Sequence, residues 1–302
     1  MTLRARPVTE PGANALAYLL LVLTALSWGC NAIFGKLAVG EISPMALVSL
    51  RWLLSLIFLV AVTGSQLKRD WPLLRAKLGF LLLMGALGFT GFNALFYSAA
   101  HLTTAVNIGI LQGSIPVIVL IGVFLIYRTP VTAYQIIGVM VTLVGVVTVV
   151  FKGDFARAAA LTINRGELLM LLACALYAMY TIGLSNCPKV GALALLTVMA
   201  ASAFVVSLPL AVAEYVYGAF QAPTTTGWIL VGLIALLPSF LAQIFYIKGV
   251  ELIGPGRAGV FVNLVPVFAA ILSVAYLGEV FEAYHAVALA LVLGGIWLSE
   301  RK

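Results

Sequence analysis

From about residue 15 almost to its end, the chain is a succession of long apolar runs broken by short polar connections. A helix that crosses a bilayer needs about 20 mostly apolar residues, with a range of roughly 17–25. Runs of that length predict ten helices over residues 15–37, 44–64, 78–100, 104–127, 132–151, 167–185, 191–213, 226–248, 257–278 and 282–299. The runs are continuous rather than alternating, which argues against the roughly ten-residue alternating strands of a barrel. Helices satisfy their own backbone in hydrocarbon. The expected fold class is an all-α polytopic membrane protein.

Composition agrees. Apolar residues make up 63% of the chain and charged residues 9%, with a mean hydropathy of +1.15. So few charges cannot solvate a water-exposed surface, so lipid is the expected cover. The net charge of +7 comes from cations scattered between apolar runs. Nothing resembles the basic, aromatic-interleaved patch of a nucleic-acid groove, and no nucleic-acid partner is expected. With the N-terminus on one side, that side collects Arg4, Arg6, Lys68, Arg69, Arg75, Lys77, Arg128, Lys189, Lys248, Arg257, Arg301 and Lys302. The other side collects Lys36, Lys152, Arg157 and Arg165, and Arg51 falls within a helix. The positive-inside rule then places both termini in the cytoplasm, the membrane being a bacterial inner membrane. The first apolar run is longer than a signal-peptide core, and Trp28 argues against reading Ser27-Trp28-Gly29-Cys30 as a lipoprotein cleavage box; the run is expected to be retained. Cys30, Cys174 and Cys187 lack metal-ligand spacing and read as packing residues.

The two halves repeat at an offset of about 150 residues. Pro116-Val117 matches Pro266-Val267, Ala133-Tyr134 matches Ala283-Tyr284, and Phe96-Tyr97 matches Phe245-Tyr246 one residue out of register. The expected organisation is a first five-helix repeat over 15–151, a connection over 152–166 and a second repeat over 167–300. An odd number of helices per repeat inverts the second half in the membrane. Inverted repeats are a recurrent plan of secondary transporters, with the substrate near the midplane between the halves.

Several short stretches, in order, resemble the EamA-type members of the drug/metabolite transporter superfamily. They are Leu26-Ser27-Trp28-Gly29-Cys30-Asn31 with Lys36, Pro44 followed by Ser49-Leu50-Arg51-Trp52, Phe96-Tyr97 to Leu102, Pro116-Val117, Leu277-Gly278-Glu279 and Gly294-Gly295-Ile296. The Gly-Glu pair of that family occurs only in the second half; Arg128-Thr129 stands at the corresponding place in the first. The resemblance implies export of amino acids and related metabolites.

Ionisable groups inside a bilayer are costly and tend to be functional. Arg51 lies about seven residues into the second helix, roughly 10 Å along it; it is placed either to meet a substrate carboxylate or to serve structurally. The acidic residues fall at run ends or in connections, which argues against a carboxylate-based antiporter of cationic drugs. Asn31, Asn93, Asn107, Gln112, Gln243 and Asn263 lie within runs and need partners across helices, in water or in a substrate. Asn93 and Gln243 are near-equivalent in the repeat. Trp28, Tyr97, Tyr177, Tyr180 and Tyr246 can stack on an apolar body. These residues, Asn107 apart, form with Arg51 the expected substrate site. Pro116 and Pro266 read as symmetric kinks or pivots, and Lys36 and Lys248 as gates or interfacial anchors. Gly138, Thr142, Gly145 and Gly294-Gly295 suit packing within the molecule or a homodimer face.

No GxxxxGK[ST] motif supplies ATP binding, and the two histidines, His101 and His285, lie near run ends, which makes an intramembrane enzyme a poor reading. The expectation is a carrier, with no cofactor and no catalytic or metal site. It would export small neutral or zwitterionic metabolites, amino acids with apolar or aromatic side chains first, by alternating access through a central cavity. A multidrug exporter and a lipid-linked metabolite flippase are the alternatives.

Overall fold

The computed structural model describes residues 11–128, 131–154, 163–253 and 255–299. Arg4, Arg6, Thr129, Arg157, Arg301 and Lys302, which entered the charge and repeat arguments, lie outside them. Ten helices carry the described chain: α1 Pro11–Leu37, α2 Pro44–Ala76, α3 Leu78–Ala100, α4 Ala105–Tyr127, α5 Ala133–Val150, α6 Arg165–Asn186, α7 Ala192–Val216, α8 Thr225–Ile253, α9 Arg257–Leu277 and α10 Ala283–Ser299. The first nine are long and apolar enough to cross a membrane, and α10 is a shorter apolar helix. The chain is a multi-pass membrane protein.

Local chemistry sets the helix ends. Pro44 opens α2 after an extended Ser43, where its missing N–H costs nothing. Thr104, Thr132, Asn164 and Thr224 cap α4, α5, α6 and α8 through their side-chain oxygens, satisfying amides that have no partner within the helix. At the ends of the paired helices α4 and α9, Arg128 and Gly278 adopt the same left-handed turn, with φ of 53° and 64°. Gly278 enters that region without steric cost, whereas Arg128 does so against its Cβ.

Two helices outrun the apolar pattern. α2 continues to Ala76, twelve residues beyond the run that ends at 64. α8 continues to Ile253, so Lys248 sits within a helix rather than at its end. Hydropathy marks where hydrocarbon stops, while hydrogen bonding carries the helix on into the polar layer. There Asp70 accepts the Gly191 backbone N–H at 3.0 Å.

Helix pairing obeys the repeat. α2 packs on α7, α4 on α9 and α5 on α10, each helix against its own equivalent. α1 packs on α8 and α9, and reciprocally α6 packs on α3 and α4. α1 ends beside the α3–α4 turn, where the Lys36 ammonium donates to the carbonyls of Ala100 and Thr103, both at 2.9 Å. α6 begins beside the same turn, where Asn164 donates to the Leu102 carbonyl at 3.1 Å. Equivalent helices thus run in opposite directions, which is an inverted repeat. The glycines of α5 and α10 face each other within the molecule. A Cβ on Gly138 would lie 2.5 Å from the Gly295 carbonyl oxygen, and one on Gly295 would lie 2.2 Å from Thr142 Oγ1.

Candidate substrate site

The regular helices fail at four symmetric places, and those places frame the site. α3 widens into a π-helical turn over Ala86–Gly91 and α8 does so over Leu237–Leu241, near-equivalent positions in the two repeats. Such insertions free backbone groups and cluster at functional sites. α4 breaks between Gln112 and Ile115, and α9 passes through a 3-10 turn over Phe261–Leu264. Pro116 and Pro266 then sit in the first turn of the restarted segments. The sequence read each as a kink within one helix; the structure makes each the start of a half-helix.

Between these irregularities lies a cavity of about 140 Å³. Its walls include Trp28, Asn31, Arg51, Asn93, Gln112, Tyr177, Gln243 and Asn263, together with Pro116 and Pro266. Eight residues of the expected site are therefore brought together from both repeats. The other three stand behind them. Tyr97 is fully buried against Arg51, Tyr180 packs on Phe89 and Tyr177, and Tyr246 lies 5.5 Å from Trp28. Lys248 is elsewhere, in an exposed ion pair with Glu251 at 3.0 Å. Asn107 is also elsewhere. It bonds Glu167 at 2.8 Å and His285 at 3.0 Å, at the end of α4 where the Glu279 carboxylate caps the amides of Ala105 and Val106.

Arg51 is the centre of the arrangement. Its side chain is only 5% exposed. Nε donates to Ser239 Oγ at 2.7 Å, and Nη1 donates to Tyr97 Oη at 2.6 Å and to the side-chain oxygens of Asn93 and Asn31. Each partner is itself held. Asn93 donates to the Phe89 carbonyl at 2.6 Å. Tyr97 Oη donates to Asn31 Oδ1 at 2.9 Å. Ser239 reaches back across the widened turn of α8 to the Ile234 carbonyl at 2.7 Å. All these partners are neutral, and no carboxylate pairs with Arg51 among the described residues. A buried charge held only by dipoles attracts any anion that can reach it.

Aromatic rings extend from this cation. Arg51 Cζ lies 5.2 Å from the Trp52 ring centre, and Trp52 stacks on Phe89 at 4.5 Å with a 7° interplanar angle. Phe89 meets Tyr180, and Tyr177 meets Phe92. Close approach needs Gly88, where a Cβ would lie 2.3 Å from Tyr180 Cγ. Trp28 also lines the cavity, and its Nε1 donates to the Pro238 carbonyl at 3.2 Å. Sequence reasoning missed Trp52, Phe89 and Ser239. The repeat held a signal for the last, because Ser239 stands 150 residues after Phe89, just as Gln243 follows Asn93.

The EamA-like transporter family model matches this chain twice, over residues 15–151 and 164–301. The chain belongs to the EamA-like transporter family. Its curated relatives are uncharacterized transporters. YetK of Bacillus subtilis is 28% identical over 95% of this chain and 87% of its own length. YyaM of the same organism is 26% identical over 92% of each. A transporter of Archaeoglobus fulgidus is 26% identical over 96% of this chain and 99% of its own. A crystal structure with 17% identity superposes with a TM-score of 0.62 over 96% of each chain, a likeness of fold. The transporter therefore carries its cavity at the junction of two family repeats.

Proposed function

We propose that this transporter exports small metabolites that join a carboxylate to an apolar or aromatic body, amino acids with apolar side chains being the first candidates. The supporting observation is Arg51, a buried cation with only neutral partners, beside a cavity walled by Trp28, Trp52, Phe89, Phe92 and Tyr177. The guanidinium would hold the carboxylate and the rings would hold the body. A fixed cation repels cationic drugs, which disfavours the multidrug reading. Among the described residues no group of acidic, Cys or His side chains forms a metal cluster, and the carrier reading requires none.

The cycle would be alternating access between the inverted repeats, in a bacterial inner membrane with both termini cytoplasmic. α1 packs on α3 and α4 of its own repeat, whereas α6 makes no comparable packing on α8 or α9 among the described residues. The closed end carries Lys36. The looser end carries Lys77, Lys189 and Arg257, the cation-rich and hence cytoplasmic side. On this reading the carrier is sealed outside and loosened inside. The test is counterflow in proteoliposomes with labelled leucine and phenylalanine. Saturable exchange that falls at least tenfold with Arg51→Gln is expected; unchanged exchange in that variant would reject the role of Arg51, and absence of exchange would reject the substrate class.

A further inference from the structure

Two residues that line the cavity each carry a buried N–H donor with no hydrogen-bond partner among the described residues. Trp52 Nε1 and Gln112 Nε2 are both shielded from solvent and unbonded among the described residues. Trp52 is only 2% exposed. An unanswered donor at such depth is costly, so a site that keeps two of them beside an arginine is built for acceptor atoms. Arg51 adds Nη2, which makes no hydrogen bond to the described residues while Nε and Nη1 are occupied.

Two helix breaks also border the cavity. The segments Ile115–Tyr127 and Val265–Leu277 each run for 13 residues. Their first residues, Ile115 with Pro116 and Val265 with Pro266, line the cavity. At each break the N-terminus of one segment meets the C-terminus of the segment before it, so their partial charges oppose one another. Among the described residues no Asp or Glu lines the cavity, so a substrate ammonium group finds no countercharge there.

We infer that the cavity recognises a net-anionic carboxylate with a single apolar or aromatic body, and that an α-amino group is dispensable. The carboxylate takes hydrogen bonds from Arg51, Trp52 and Gln112. The volume of about 140 Å³ suits one ring, since an apolar protein cavity of about 150 Å³ accepts benzene. This inference rests on the carrier reading and sharpens its substrate from a zwitterion to a monocarboxylate.

The test compares three ligands of one shape on the purified, full-length transporter at neutral pH: phenylalanine, 3-phenylpropionate and phenethylamine. Binding is read as protection against thermal unfolding and as competition in counterflow. The expected result is that 3-phenylpropionate binds at least as tightly as phenylalanine and phenethylamine does not bind. Trp52→Phe, which keeps the stack on Phe89 and removes the donor, is expected to weaken both carboxylates by roughly tenfold, the worth of one hydrogen bond to a charged group. Binding of phenylalanine at least tenfold tighter than 3-phenylpropionate would overturn the inference and leave the amino-acid carrier intact. Binding of phenethylamine, or of none of the three, would overturn both.

Discussion

Replacing Asn93 by Asp tests whether the charge of Arg51 is held in reserve for substrate. Asn93 Oδ1 already accepts from Arg51 Nη1, so the substitution changes one atom and places a carboxylate where the cation already points. At about 4 Å and an effective dielectric of about 20, a guanidinium and a bound carboxylate attract by about 4 kcal/mol. A second carboxylate about 7 Å from the bound anion opposes this by roughly 2 kcal/mol on the same constants. Affinity for a carboxylate ligand should therefore fall by about thirtyfold. Pairing with the buried guanidinium offsets part of the cost of losing the Asn93 Nδ2 hydrogen bond to the Phe89 carbonyl, so the variant should fold with a somewhat lower melting temperature. The assay is the concentration dependence of ligand-induced thermal protection, with the melting temperature of the ligand-free protein as the control. If Asn93→Asp stays folded and keeps its affinity within twofold, Arg51 does not meet the substrate and its role is to fasten α2 to α3 and α8.

Three further perturbations have signs set by the geometry. Lys36→Met removes both ammonium bonds that tie α1 to the α3–α4 turn. A cysteine introduced at Ile33 in a background without native cysteines should then react with an external thiol reagent at least tenfold faster; unchanged labelling would mean that Lys36 is only an anchor. Gly138→Leu forces a side chain into the Gly295 backbone and should lower stability by about 1–3 kcal/mol through overpacking, read as a drop in melting temperature; no drop would refute the intimate α5–α10 contact. His101, in the turn after α3, has its pKa lowered by burial and then by Lys36, with Glu214 opposing. A depressed histidine contributes stability that is complete above its ordinary value near 6.5 and lost as pH falls through its folded value. Melting temperature should therefore decline as pH is lowered below about 6.5, and His101→Gln should flatten that slope.

The sequence carried the number and polarity of the helices because hydrocarbon thickness is a one-dimensional constraint. It carried the repeat because the Pro-Val, Ala-Tyr and Phe-Tyr pairs keep their order in both halves. It could not carry the widened turns of α3 and α8. A π-helical turn leaves no periodic trace in a continuous apolar run, yet those turns bring Asn93, Phe89 and Ser239 to Arg51. Asn107 shows the converse. By composition it was another amide within a span, but its place in the first turn of α4 puts it with Glu167 and His285, one end of the bundle away from the cavity. Glu167 is one of the acids that stand at the end of an apolar run. It lies in the first turn of α6 and is nonetheless fully buried, because burial at a helix end depends on what packs over it rather than on depth along the apolar run.

Pseudo-symmetry explains why irregular features recur in pairs, and departures from it show where the two halves have diverged. The π-helical turns and the half-helix starts each occur twice, as expected if two copies of one unit built the cavity. The cation occurs once. Arg51 stands in α2, and position 201, 150 residues later in α7, is alanine. A twofold-symmetric pair of arginines near the axis would repel each other in a dry site. A single one gives the cavity a charge that one anion can neutralise. The tight junction is also single, with Lys36 closing α1 on the α3–α4 turn while position 186, its counterpart at the end of α6, is an asparagine whose carbonyl accepts from Lys77 and whose side chain donates to Tyr127 Oη. The two faces thus differ by covalent sequence and not only by conformation. A unit that can close through Lys36 on one side and must close by other contacts on the other will favour one of its two shapes at rest, and ligand binding between the halves would shift that balance only by binding the other shape more tightly.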